Sequence, residues 1–381
     1  MIENLEFRTL TEPLLNWYED NKRELPWRKD ATPYKVWVSE IMLQQTRVEA
    51  VKPFFARFTN RLPDVAALAE CPEDELLKLW EGLGYYNRVR NMQKAAIEVV
   101  QQYEGELPAD YKALLNLKGI GSYTAGAIAS IAYQIPVPAV DGNVLRILTR
   151  VADDDTDIMK ASFRKQVEEQ LAAYMQSEEF DSANSGVFNQ ALMELGATVC
   201  VPNGAPNCEQ CPWKEMCLAK ERNRILELPV KSKARERRIE KRTVFVVRDG
   251  ERVVIRKRPK KGLLAGLYEL PNVEGHMTQE EALAYIKGLN FSPIRIQKLP
   301  EAKHIFSHVE WQMKGYAILI EDPEQTMESM PVKSEATHTE ENFLYVEAAT
   351  SEQKYAIPAA FAVYARYMGI KIGQERFLSE E

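Results

Sequence analysis

The hydrophobic period changes once along this chain, and that change confines it to two differently built domains. Up to about residue 225, apolar residues recur at helical spacing. The runs are EDELLKLWEGL (73–83), NMQKAAIEVVQQY (91–103), YKALLNL (111–117), GNVLRILTRV (142–151), SFRKQVEEQLAAYM (162–175) and GVFNQALMELGATVC (186–200). No convincing strand interrupts them, so this half is expected to be all-α. Beyond the basic cluster KSKARERRIEKR (231–242) the pattern turns to β. TVFVVRDGERVVIRKR (243–258) sets two β-rich runs around Asp249-Gly250, a hairpin signal. GYAILIE (315–321) and NFLYV (342–346) read as strands, and 278–289 and 355–368 as helices, so the second half is α+β. A length of 381 residues is too great for one ordinary core and agrees with two domains. The expected division is 1–225, a basic linker 226–242, and 243–381.

The chain is 45% hydrophobic and 28% charged, a globular composition. The start, MIENLEFRTLTEPLLNW, has no basic region followed by an apolar core, so no signal peptide is expected. The mildest stretch, Thr124 to Val140, is broken by Gln134, Pro136 and Pro138 and is too short to span a bilayer. A cytosolic protein without a membrane partner is expected. The net charge of −7 argues against a uniformly basic nucleic-acid binder. Residues 1–225 carry 25 Lys and Arg against 33 Asp and Glu, and residues 226–381 carry 24 against 23. Any DNA-binding surface must therefore be a local patch. The cluster at 231–242 reads equally as a solvated linker.

Two short motifs carry chemistry. Cys200, Cys208, Cys211 and Cys217 fall within CVPNGAPNCEQCPWKEMC, whereas Cys71 stands alone and reads as a buried small hydrophobe. In a reducing compartment this spacing points to a metal or cluster, and four thiolates suit either zinc or [4Fe–4S]. In GIGSYTAG (119–126), Gly119 and Gly121 precede a helical run, a place where backbone N–H groups can meet a phosphate.

Taken together, an all-α domain, the hairpin LKGIGSYTAGAIA and a terminal four-cysteine loop resemble the helix–hairpin–helix DNA glycosylases of the endonuclease III superfamily. Their iron–sulfur loop usually runs Cys-x6-Cys-x2-Cys-x5-Cys. Here the last two gaps agree and the first holds seven residues, Val201 to Asn207, in a Pro/Gly-rich loop able to bulge. The resemblance implies a [4Fe–4S] cluster on the four cysteines, with zinc as the alternative. LPWRK (25–29), VWVSEIMLQQTRV (36–48), EGLGYYNRVRN (81–91), VDGNVLR (140–146) and FNQALMELGA (188–197) are similar to the MutY-type adenine DNA glycosylases. KRPKKGLLAGLYELPNVEG (257–275) and HIFSHVEW (304–311) resemble that family's C-terminal Nudix-like domain. The implied architecture is an all-α helix–hairpin–helix glycosylase domain with a four-cysteine cluster loop, followed by an α+β Nudix-like domain.

The resemblance implies a monomeric, monofunctional enzyme that flips adenine out of double-stranded DNA and hydrolyses its glycosidic bond, where adenine faces 8-oxoguanine or guanine. Such chemistry needs an acid for the leaving base and a carboxylate for the sugar cation. Glu40 and Asp141 are the implied pair. Glu40 sits in apolar VWVSEIML, where desolvation would raise its pKa; a place on a solvated helix face is the other reading. Asp141 directly precedes a helical run and also reads as an N-cap, a role compatible with the implied one of stabilising the cation at C1′ or transiently attacking that carbon. Asn143 is implied to hold Asp141. Tyr123 stands where strand-cleaving relatives carry a Schiff-base lysine, so it implies base removal without efficient lyase action, its hydroxyl bonded near Asp141.

Further roles carry over from the same resemblance. Gln45 and Thr46 in LQQT, with Leu83 and Tyr85 in GLGYY, match residues that fill or wedge the vacated stack. Arg23, Leu25, Trp27, Arg28 and Gln190 match adenine-pocket positions, although Trp27 and Leu83 read equally as core. Gly119 and Gly121 match the phosphate-binding turn. Phe306-Ser307-His308 matches the loop that finds 8-oxoguanine, whose N7 carries a proton that Ser307 can accept; a strand with inward Phe306 and His308 is the alternative. TQEEALAYI (278–286) has two glutamates and lacks the Arg of a catalytic Nudix box, so the second domain reads as a binding module.

Overall fold

The computed structural model describes residues 2, 5–232, 236–321, 329–333 and 340–372. The chain divides into two compact units, residues 1–70 with 90–233, and residues 71–89 with 234–381.

Among the described residues, no strand precedes Arg238. Three helices of the first unit build the site: Pro33–Leu43, Ser122–Tyr133 and Ser185–Thr198. The first starts at Pro33, with the Thr32 hydroxyl accepting from the Lys35 N–H at 3.3 Å. It is buried from Val36 to Met42, so its sequence shows no polar face. The second helix packs against both of the others. Gly126 on it lets the chain at 137–140 lie against the helix, because a Cβ there would stand 2.1 Å from the Pro138 carbonyl oxygen. A separate apolar cluster holds Gly142–Ala152, Ala161–Met175 and Phe7–Asn21 together through Leu14, Leu148, Val167, Leu171, Leu195 and Trp213.

The second unit is built on one sheet. Its strands are β1 (Arg238–Asp249), β2 (Arg252–Lys257), β3 (Tyr268–Glu269), β4 (Asn272–Glu274), β5 (Pro293–Ile305), β6 (Val309–Ile320), β7 (Ser329–Lys333) and β8 (Glu340–Glu347). The main order is β5-β6-β1-β2-β8-β7, with β1 and β6 parallel and β1 and β2 an antiparallel hairpin turning at Gly250, φ 83°. The two-residue period of β1 splits the core. Val244 and Val246 pack with Trp311, Phe361 and Tyr364 on one face. Phe245 and Val247 pack with Ala282, Ile286 and Ile318 on the other. Helix Gln279–Gly288, which closes that second face, begins with a capping box in which Glu281 accepts from the Thr278 N–H at 2.7 Å.

Three readings of the sequence change. Residues 238–242, expected in the linker, form the start of β1, because they pair with β6 and β4 and Arg242 covers the Trp311 ring at 4.3 Å. Linker residues 233–235 and the tail 373–381 lie outside the described residues. The helical stretch expected at 355–368 is a series of short helical turns from Ala359 to Met368, starting after Pro358 and preceded by helix Ala348–Lys354. Residues 71–89 group with the second unit although they lie within the first 225 residues of the chain. Among the described residues, no helix is long and apolar enough to cross a membrane.

Candidate active site

Glu40 lies on the buried helix Pro33–Leu43 and is only 5% exposed, which removes the solvated-face reading. The Tyr123 hydroxyl, from the neighbouring helix, donates to Glu40 Oε2 at 2.5 Å. Burial pushes the Glu40 carboxyl from 4.5 up to about 7; the Tyr123 hydrogen bond and Arg28 pull against this, while the charge of Asp141 adds to it. Burial also holds the Tyr123 phenol well above 10, helped by the charges of Glu40 and Asp141. The phenol therefore stays a donor to Glu40, whereas the sequence placed its hydrogen bond near Asp141.

Asp141 is both cap and candidate site residue. Its Oδ1 accepts from the backbone N–H groups of Asn143 (2.8 Å) and Val144 (2.9 Å), and its Oδ2 accepts from Asn143 Nδ2 at 2.6 Å. Burial raises its pKa, and these hydrogen bonds together with Arg146 oppose the rise. The segment leading to Asp141 is fixed from both sides. Asn189, 1% exposed, accepts from the Ala139 N–H at 2.9 Å and donates to the Val137 carbonyl at 2.9 Å. Arg164 donates to the Val140 carbonyl at 2.7 Å. Behind Asn143, buried Arg146 donates to Asn143 Oδ1 (2.9 Å) and to the carbonyls of Gly196 (2.8 Å) and Cys200 (2.9 Å).

Two of the residues read as an adenine pocket, Arg23 and Arg28, converge on a carboxylate the sequence did not single out. Glu194 accepts from Arg23 Nε (2.6 Å), Nη2 (2.9 Å) and backbone N–H (3.0 Å), and from Arg28 Nη2 (2.8 Å). Burial would raise its pKa, but the two guanidiniums outweigh this and hold it below 4.5. Gln190 lies one turn before Glu194 on the same helix face, with Tyr18 donating to its Oε1 at 3.4 Å. Leu25 and Trp27 are buried, and the Trp27 ring meets Phe55 edge-on at 5.3 Å, so Trp27 packs as core. Asn189, Glu194 and Arg146 are the site-building residues that sequence reasoning passed over. Asn189 left a trace, as an amide within the helical run between Phe188 and Leu192.

Gln45 is exposed with φ 64°, a left-handed conformation costly for a side chain of its type, and Thr46 follows it half-buried. Gly119 combines φ 82° with a neighbour, Asn91 Cβ, that would stand 2.7 Å from an added Cβ. Gly121 has ordinary φ and caps helix Ser122–Tyr133, whose first N–H groups open to the exposed turn. Leu83, Tyr85, Phe306, Ser307 and His308 belong to the second unit. Residues 306–308 form the tip between β5 and β6, not part of a strand; Phe306 is half-buried, and Ser307 and His308 are exposed.

The four cysteines line one recess together with Trp213, Arg150, Lys214 and Lys220, and Arg150 Nη1 lies 3.2 Å from Cys200 Sγ. Burial pushes the Cys211 thiol up to about 12. Among the described residues, no three His, Cys, Asp or Glu side chains converge as a single-ion site. The extra residue of the first gap is absorbed in a loop turning at Gly204, φ 78°, which returns so that the Asn207 N–H donates to the Val199 carbonyl at 3.0 Å.

Residues 38–173 match the HhH-GPD superfamily of base excision DNA repair proteins, and residues 243–366 match the NUDIX domain. The adenine DNA glycosylase of Mus musculus is 35% identical over 81% of this chain and 70% of its own length. That of Rattus norvegicus is 33% identical over 93% of this chain and 77% of its own. The chain belongs to the adenine DNA glycosylases. A thermostable thymine-DNA glycosylase shares the helical fold, with a TM-score of 0.50 and 25% identity over 56% of this chain and 97% of that one. This helical fold and the mixed-sheet Nudix-like domain are the two parts the sequence pattern implied.

Proposed function

We propose that this adenine DNA glycosylase acts on adenine facing 8-oxoguanine or guanine in duplex DNA, as a monofunctional, monomeric enzyme of the cytoplasm that works at the nucleoid. The observation that carries the reaction is the buried Glu40 carboxyl, its pKa raised by burial to about 7 so that about half of it keeps its proton near pH 7, and gripped by Tyr123. Glu40 gives its proton to adenine N7. The C1′–N9 bond then breaks with its electron pair passing to the base. Asp141, held by its helix amides and Asn143, stabilises the cation at C1′. Water attacks C1′ and returns a proton to Glu40. Tyr123 offers a phenol where a Schiff base would need an amine, so release ends in hydrolysis.

Arg23, Arg28 and Gln190 face the flipped base, with Leu25 and Trp27 as its apolar support. Gln190 keeps one lone pair and one N–H for the adenine edge. Gly119 and Gly121 present N–H groups to a phosphate, which positions the strand without reading sequence. Gln45 and Thr46, with Leu83 and Tyr85, stand in for or wedge beside the extruded base. Ser307 Oγ lies 3.1 Å from His308 Nδ1, so a hydroxyl donating to that nitrogen keeps its oxygen free to accept N7–H of 8-oxoguanine.

The test is single-turnover adenine release from matched duplexes carrying adenine opposite 8-oxoguanine or guanine. The expected result is faster release opposite 8-oxoguanine, with the preference cut about tenfold in Ser307→Ala, the worth of one hydrogen bond. Equal rates on both duplexes, or a product trapped by borohydride, would overturn the reading.

Cys200, Cys208, Cys211 and Cys217 suit a [4Fe–4S] cluster better than zinc. They surround one recess without tight convergence, and Arg150, Lys214 and Lys220 offset thiolate charge. When bound, the cluster staples the 200–217 loop. Purified protein should be brown with about four irons per chain; colourless protein with stoichiometric zinc would overturn the assignment.

A further inference from the structure

Residues 71–89 leave the helical unit of the chain and join the Nudix-like unit, carrying Leu83 and Tyr85 with them. Their loop is tightly specified. Gly82, Gly84 and Tyr85 have φ of 103°, 68° and 46°. Trp80, fully buried, donates from Nε1 to the Gly84 carbonyl at 3.0 Å. Arg88 donates to the Leu83 carbonyl at 3.1 Å and lies 5.4 Å from the Tyr85 ring. Tyr85 is thus a large aromatic, 51% exposed, held outward in a conformation that its own preferences oppose.

What fastens this loop is a buried ion pair. Lys78 Nζ donates to Glu81 Oε2 at 2.8 Å and to the Tyr355 carbonyl at 2.9 Å. The Ile357 N–H donates to Glu81 Oε1 at 2.8 Å. Glu81 is 2% exposed. Lys257 also meets Asp74 at 2.6 Å, but both are half exposed and the pair contributes little. Ile357 sits in the same apolar cluster as Phe361 and Trp311, and the Trp311 ring meets Phe306 at 4.9 Å. The Tyr85 loop and the 306–308 tip therefore hang on one packed core. A buried ion pair is a poor way to gain stability but a good way to fix one register, because displaced partners leave a charge without its counterpart.

We infer that the Lys78–Glu81 pair is a positioning latch: it ties the Tyr85 wedge to the core that carries the 8-oxoguanine loop, so that docking of Ser307 on the lesion sets where Tyr85 enters the duplex. The inference rests on the roles proposed above for Ser307 and Tyr85. Opposite plain guanine the tip has no N7–H to accept, so the latch has no docked loop to transmit.

The test uses the full chain with Lys78→Met and Glu81→Gln combined, which removes the two opposite charges together and keeps an acceptor for the Ile357 N–H. Since displacement of reacting groups by about 1 Å costs on the order of 100-fold, release opposite 8-oxoguanine should slow about tenfold or more. Release opposite guanine should stay within about twofold, and the double change should cost nothing further in a Tyr85→Ala background, the signature of coupled sites. Glu81→Gln alone leaves the Lys78 charge without its counterpart and should slow release opposite 8-oxoguanine at least as much, and unfolding midpoints in urea matching wild type in the paired variant guard against a folding defect. Wild-type rates in the latch variants with Tyr85→Ala impaired would overturn the latch and leave the wedge standing. Equal slowing on both duplexes, or full additivity with Tyr85→Ala, would overturn it as well. Wild-type behaviour of both Tyr85→Ala and Ser307→Ala would instead remove the underlying roles, and the latch with them.

Discussion

Glu40→Gln is expected to bind the adenine mispair and fail to release the base. An amide keeps the shape and the Tyr123 contact but has no proton to give N7. Loss of a positioned acid costs about 100- to 10,000-fold, and single-turnover release measured beside duplex affinity checks it. Normal turnover would remove Glu40 from the reaction. The wild-type rate should also fall as pH rises above about 7, where Glu40 loses its proton. The same substitution should stabilise the fold. Folded Glu40 keeps its proton up to about 7, whereas the unfolded chain releases it near 4.5. Wild-type stability therefore falls as pH rises through that window, by about 3 kcal/mol in full, and glutamine escapes the fall. Denaturant titrations of both proteins at pH 5 and pH 8 test it: similar stability at the lower pH and a more stable variant at the higher. An equal gap at both would sink the account of Glu40's burial.

Glu194→Ala is expected to destabilise the helical unit severely. The carboxylate is fully buried and accepts three hydrogen bonds from two guanidiniums and a fourth from the Arg23 backbone N–H. Removing one partner of a buried charge network costs about 3–5 kcal/mol. Its folded pKa is depressed, so its contribution is present above the ordinary carboxylate range and lost as pH falls through its lowered value. The gap between wild type and variant should thus narrow on acidification below about pH 4. Urea unfolding at neutral and acidic pH measures both. A loss under about 1 kcal/mol at neutral pH would mean that Glu194 is replaceable by water, as surface pairs are.

These two carboxylates show how differently the site was legible. Glu40 stood out because a charged residue in VWVSEIML conflicts with its neighbours, and desolvation follows from that conflict. Asp141 was legible as a cap from the helical run behind it. Glu194 lies in FNQALMELGA, where an acidic residue on a helix looks like an ordinary solvated position; its partners come from residues 171 and 166 positions away. Asn189 has its partners up to 59 positions back. Tyr123 was assigned to Asp141's side and instead binds Glu40, because the orientation of helix Ser122–Tyr133 is a matter of packing around Gly126.

The sequence by itself determined what repeats locally: a helical half, a β-rich half, the hairpin at Asp249-Gly250, the cysteine spacing and the chemical character of each candidate side chain. Periodicity and turn chemistry act over a few residues, so they can be read in a few residues. Only the tertiary structure decided that residues 71–89 group with 234–381, that 238–242 are strand, and that Arg23 and Arg28 share one buried carboxylate. Each of those outcomes turns on desolvation and pairing between segments far apart in the chain, and neither quantity exists until the chain has folded.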